Sequence, residues 1–237
     1  NISNSSLKLL SANSCFMQSK SRAKKTPVKN RAKNVLSAIP KEIFREYDIR
    51  GLVDKELGEG LYNLLGKAYG TYLRKHKTKK AVVGFDNRPS SRGYARAFIN
   101  GLLSTGIDVV NIGCVASPLM YFARKRLKIN GGAIITASHN PKEFNGLKMA
   151  EGNGCIYGKE IQKVRKIAEK GKFSGVKGKE TSIDILPDYL GVLKEKIKLK
   201  RKLKVVLDCG NGTASLSTPA VLKGLGVEQD ERSNAKA

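Results

Sequence analysis

A chain of 237 residues, 40% hydrophobic and 27% charged, is long enough to bury one large or two small cores and reads as a soluble globular protein. Its 45 Lys and Arg against 20 Asp and Glu give a formal charge of +25, which calls for anionic partners. Nucleic acid is not the expected one, because aromatic residues make up only 6% of the chain with no Trp to stack bases, and no apolar run is long enough for a membrane span. Cys15, Cys114, Cys155 and Cys209 form no C-x-x-C pair, and two histidines cannot build an imidazole zinc cage. A reducing, cytoplasmic setting is the expectation.

In chain order, residues 1 to 40 contain no Asp or Glu and a single apolar cluster, Leu7-Lys8-Leu9-Leu10, so they read as a basic, disordered extension. From residue 41 the pattern is α/β. Apolar residues at Leu61, Leu64, Leu65, Ala68, Tyr69 and Tyr72 have a helical period, and Ala81 to Phe85 is a strand. A helix over Tyr94 to Ser104, capped from Ser90-Ser91, precedes a strand over Asp108 to Gly113 and a helix over Pro118 to Leu127. Gly132 to Thr136 is an apolar, β-branched strand, Lys159 to Lys170 a helix, and Asp184 to Lys198 another. Such alternation predicts a mixed, mostly parallel sheet flanked by helices over residues 41 to 186. Residues 187 to 237 read as a linker helix and the opening of a second, similar α/β domain, with one strand over Lys204 to Asp208 and one short helix over Pro219 to Leu225.

The most informative segment is Thr136-Ala137-Ser138-His139-Asn140-Pro141, which places a serine hydroxyl on a turn directly after an apolar strand. Open α/β sheets bind ligands at the ends of such strands. Taken alone, Ser and Asn there read first as turn formers.

Three further stretches accompany it: Ile43-Phe44-Arg45-Glu46-Tyr47-Asp48-Ile49-Arg50-Gly51, Ala81 to Ser91, and Lys204-Val205-Val206-Leu207-Asp208-Cys209-Gly210-Asn211-Gly212. With Phe144-Asn145-Gly146-Leu147-Lys148-Met149 after the serine turn, they resemble the α-D-phosphohexomutases, most closely the phosphomannomutase/phosphoglucomutase branch. The resemblance runs from about Ile43 to about Val227. It implies an enzyme that interconverts hexose 1-phosphate and hexose 6-phosphate through a phosphoserine and a hexose 1,6-bisphosphate, with Mg²⁺ as cofactor and the bisphosphate as activator. Family members are similar in having four domains, with an Asp-rich metal loop in the second. No such loop is found here, so the chain is expected to be an inactive amino-terminal fragment.

By the same resemblance, Ser138 carries the phosphoryl group and gives Mg²⁺ its one ligand from this chain, Lys148 handles protons or supports charge, and His139 contacts the phosphoryl region. Arg50 clamps phosphate, since a guanidinium bonds it in pairs. Tyr47 lines the cleft, where it joins Arg50 and Lys148 in holding a hexose phosphate. Asn145-Gly146 is expected to form the turn that folds Lys148 back toward Ser138. Asp48 reads as structural, and Asp86, Arg88 and Ser91 as loop-ordering, because Asp and Arg two apart can pair or cap locally; Phe85 departs from the family in standing where it often has arginine. Two other readings stay open: a phosphoglucosamine mutase, and a non-catalytic anion-binding protein.

Overall fold

The computed structural model describes residues 39–233, and the expected basic extension, apart from Ile39 and Pro40, lies outside them. In chain order the elements are β1 (Ile49–Leu52), α1 (Glu59–Lys75), β2 (Lys80–Phe85), α2 (Ser91–Leu103), β3 (Asp108–Cys114), α3 (Ser117–Arg126), β4 (Gly131–Ile135), β5 (Phe144–Glu151), β6 (Gly154–Cys155), α4 (Lys159–Lys170), β7 (Glu180–Ser182), α5 (Leu186–Lys196), β8 (Lys204–Asp208), α6 (Thr218–Gly224) and β9 (Glu228–Ser233). One sheet has the order β1-β5-β4-β2-β3-β7, with β6 paired to β5. β4, β2, β3 and β7 run parallel, while β5 is antiparallel to β1, β4 and β6.

The middle strands are apolar on both sides because helices cover both faces. Val83 and Ile135 point into a core with Tyr62, Leu65 and Phe98, whereas Val82 and Ile134 point the other way, onto Leu119, Met120 and Ile185. α1 buries Tyr62, Leu65, Tyr69, Tyr72 and Leu73, one stripe at helical spacing. It crosses α2 closely at Gly66 and Gly101, where an added Cβ would lie 2.1 Å from the Phe98 carbonyl oxygen and 2.2 Å from that of Asn63. β3 lies on one side of β2 and β4 on the other, so the strand order reverses at β2. The loops leaving the carboxyl ends of β2 and β4 meet there, the place where such sheets hold ligands.

Three departures from the sequence pattern have physical reasons. α2 starts a turn earlier than expected, at Ser91, whose hydroxyl bonds Asp86 at 2.5 Å while Ser90 makes no cap bond. Asn145 and Gly146 lie within β5, and the reversal is made by the residues between Ile135 and Phe144. β7 and β9 were not expected, and β9, Glu-Gln-Asp-Glu-Arg-Ser, has no apolar alternation that would announce a strand. β9 pairs in parallel with β8 to form a separate two-stranded sheet. α5 rests on α3 through an edge-to-face contact of Phe122 and Tyr189 at 5.2 Å and an Arg126–Asp188 ion pair at 2.8 Å. Among the described residues no helix is long and apolar enough to cross a membrane.

Candidate active site

Ser138 sits three residues past the end of β4 with φ 57°, in the left-handed region that non-glycine residues avoid. Its N–H donates to Thr136 Oγ1 at 2.9 Å, and the Asn140 N–H donates to the Ala137 carbonyl at 3.1 Å. These bonds turn the chain so that Ser138 and His139 are exposed while Thr136 and Ala137 are buried. Ser138 Oγ lies 3.4 Å from His139 Nδ1.

The turn is held from β2. Arg88 donates to the carbonyls of Ser138 (3.0 Å), Asn140 (2.6 Å), Pro141 (2.7 Å) and Phe144 (3.1 Å), so that one guanidinium gathers four oxygens of the reversal. Asp86 orients it, accepting from Arg88 Nε at 3.1 Å and from the Arg88 N–H at 3.1 Å. Ser91 bonds the same carboxylate, and Asn145 donates to both Ser90 and Ser91. The loop-ordering reading of Asp86, Arg88 and Ser91 matches this geometry.

On the other side of β5, the antiparallel register sets Ile49 opposite Leu147 and Arg50 opposite Gly146. Ile49 and Leu147 are core residues, so the alternation of a strand puts Asp48, Arg50 and Lys148 on the opposite face. Asp48 Oδ2 accepts from Arg50 Nη2 at 2.5 Å and from Lys148 Nζ at 2.9 Å. Arg50 Nη1 donates to Asn140 Oδ1, which ties this group to the serine turn. Close approach requires glycine at 146, since a Cβ there would lie 2.3 Å from the Ile49 carbonyl oxygen and 2.9 Å from that of Thr136. Burial pushes the Tyr62 phenol well above its ordinary pKa, which keeps it a neutral donor to the Gly146 carbonyl at 2.9 Å.

Ser138 opens on a cavity of about 470 Å³ whose walls include Arg88, Lys142 and Ser117, with Gly210 to Thr213 from the loop after β8. Asn87 fastens that loop, donating to the Asn211 carbonyl at 2.9 Å and accepting from Thr213 Oγ1 at 2.8 Å. Lys148 instead borders a second cavity of about 230 Å³ with Tyr47, which is 71% exposed and stands 6.5 Å from the ring of Tyr157. Of the residues named from the sequence, the structure sets His139 beside Ser138 and joins Arg50 to Asn140, and it places Lys148 and Tyr47 on the second cavity; the positions of Lys142 and Asn140 and the contacts of Asp48 were not anticipated. A cation four residues past the serine was the available signal for Lys142.

The sequence profile of "Phosphoglucomutase/phosphomannomutase, alpha/beta/alpha domain I" matches residues 41–175, more than half the chain. The chain belongs to this family. A "Phosphomannomutase/phosphoglucomutase" of Pseudomonas syringae pv. tomato is 34% identical over 199 residues, 84% of this chain and 43% of that protein. A "Probable phosphoglucosamine mutase" of Thermococcus gammatolerans is 39% identical over 188 residues, 77% of this chain and 41% of that protein. A crystal structure of a phosphoglucomutase/phosphomannomutase family protein from Burkholderia thailandensis superposes with a TM-score of 0.79 at 33% identity, over 82% of this chain and 44% of that one. The chain thus spans less than half the length of the relatives it matches, and the family's mixed α/β/α first domain is the sheet described above.

Proposed function

We propose that this chain carries the phosphoryl group of a phosphohexomutase that interconverts hexose 1-phosphate and hexose 6-phosphate. The observation that carries the reading is the Ser138 turn, an exposed hydroxyl on a left-handed residue, with the carbonyls of Ser138, Asn140, Pro141 and Phe144 bonded to Arg88. In the reaction a sugar hydroxyl attacks phosphorus on Ser138, the Ser138 Oγ–P bond breaks as the new O–P bond forms, and a hexose 1,6-bisphosphate results. The bisphosphate turns over and returns its other phosphoryl group to Ser138. An alkoxide is a poor leaving group, so cations must offset the charge gathering on the transferring oxygens. Arg50, Lys148 and Lys142 are the nearby cations suited to this, with His139 beside Oγ for the proton. Tyr47, at the edge of the Lys148 cavity, is the candidate to meet the sugar.

Among the described residues no group of three His, Cys, Asp or Glu converges to hold a metal ion, and the nearby carboxylates Asp48 and Asp86 already serve Arg50, Lys148 and Arg88. These residues do not fit a magnesium site of their own, since Ser138 Oγ would be a single ligand. A domain division near residue 186, a cytoplasmic setting and activation by hexose 1,6-bisphosphate complete the proposal.

The test is direct. The full-length protein is incubated with glucose 1,6-bisphosphate and Mg²⁺ and its intact mass and peptides are measured: one phosphoryl group is expected on Ser138 and none on Ser138→Ala. A folded full-length protein that takes no phosphoryl group would sink the enzyme reading and favour a binding protein. The similarity to the Thermococcus gammatolerans protein makes a glucosamine phosphate the second candidate substrate, so turnover of glucosamine, glucose and mannose phosphates should be compared side by side.

A further inference from the structure

We propose that Asp48 is a positioning residue that holds Lys148 and Arg50 with a single carboxylate oxygen, so that Lys148 can be lent to a phosphoryl group without leaving a bare buried charge. The inference rests on the phosphoryl-transfer reading of Ser138.

The geometry gives Asp48 little freedom. Its side chain is 9% exposed, and Oδ2 accepts both the 2.5 Å bond from Arg50 and the 2.9 Å bond from Lys148. Arg50 is equally buried, with Nη1 on Asn140 and no partner for Nε. Lys148 differs from both: its side chain is 27% exposed and it borders the open cavity it shares with Tyr47. In the trio, the two buried members are fixed and the more exposed member can leave.

This asymmetry matters energetically. A buried carboxylate deprived of its partner is strongly destabilising, because it keeps the cost of leaving water without the attraction that offset it. With Arg50 still on Oδ2, Asp48 stays neutralised when the Lys148 ammonium swings to a phosphoryl oxygen. Two cations held by one anion also leave one net positive charge beside the Ser138 turn. The strand register imposes the arrangement: Asp48 and Arg50 are two apart on one face of the chain entering β1, and Lys148 stands across from Asp48, one step beyond the Ile49–Leu147 pair. The shared residue Asn140 extends the coupling into the serine turn itself.

Asp48→Asn removes the charge at nearly constant shape. In the full-length protein the expected outcome is a fall in kcat of about 100-fold with KM changed less than about threefold, the scale of a catalytic group displaced by an ångström. Combined with Lys148→Met, Asp48→Asn should slow turnover by clearly less than the product of the two single losses, since both act on Lys148 while Arg50 keeps its bond to Asn140. Losses that multiply in the double variant overturn the proposal. An independent readout needs neither turnover nor a folded variant: competitive amine labelling of the unmodified protein, followed by peptide mass measurement. Lys148 should label at least about tenfold more slowly than exposed Lys77, because its ammonium must leave the Asp48 carboxylate before it can react, and a tenfold difference in population is about 1.4 kcal/mol. In Asp48→Asn the Lys148 rate should approach that of Lys77. Equal rates in the unmodified protein overturn the role of Asp48 whether or not Ser138 takes up phosphate, and absence of phosphate on Ser138 counts against the mutase reading alone.

Discussion

At the scale of single residues, the position that would do the chemistry is also one that strains the chain. Ser138 has φ 57°, where a side chain costs about 1–2 kcal/mol relative to glycine. Glycine would relieve that strain but add about 0.4–1 kcal/mol of unfolded-state entropy to be lost. The balance predicts that Ser138→Gly raises stability by up to about 1 kcal/mol, read as a higher denaturant midpoint, while Ser138→Ala does not; a Ser138→Gly protein less stable than Ser138→Ala would remove the strain argument. Strain kept at a reactive position is the usual trade between stability and function. The hydroxyl itself was legible in the sequence, because proline and an apolar strand on either side mark the turn. Asp48 was legible only as a charge near Arg50, since the partner that gives it meaning lies 100 residues away and is reached through a strand register that no local pattern states.

At the scale of elements, the unit is the β4–β5 reversal with its clamp from β2. Asn-Gly normally marks a hairpin turn, and the sequence invited that reading of Asn145-Gly146. In the fold both residues have other duties: Asn145 reaches Ser90 and Ser91, and Gly146 admits the Ile49 and Thr136 carbonyls. The turn is instead held by four carbonyl bonds to Arg88, a tertiary interaction invisible to local spacing. By contrast β2, α1, β4 and α4 were readable to within a few residues, because their burial is periodic along the chain. Arg88→Ala should therefore cost about 2–3 kcal/mol, the scale of losing bonds from a charged donor whose acceptors then meet water only in part. Its signature is local: amide exchange at Asn140 and Phe144, whose N–H groups bond within the turn, should accelerate while exchange in β2 and β3 follows global stability. Unchanged exchange at both amides would show that the turn holds itself.

At the scale of the whole molecule, 45 cationic side chains against 20 anionic ones set a self-repulsion that folding must concentrate. Salt acts on it in two opposing ways. It weakens exposed attractive pairs such as Arg126–Asp188 and Lys204–Glu228, each worth about 0–1 kcal/mol, and it screens repulsion among the unpaired lysines. The buried groups around Asp48 and Asp86 are screened far less, so they do not enter the balance. Between about 0.01 M and 0.1 M salt the screening length falls from about 30 Å to about 10 Å, which removes repulsion across the molecule while neighbouring pairs keep much of their attraction. Tm should accordingly rise with sodium chloride over that range, by about 2–4 °C for each kcal/mol of repulsion relieved in a chain of this size. Chloride is the right probe, because sulfate and phosphate also strengthen apolar burial by exclusion from the surface. A Tm that is flat or falls would mean that the surface ion pairs outweigh the excess positive charge.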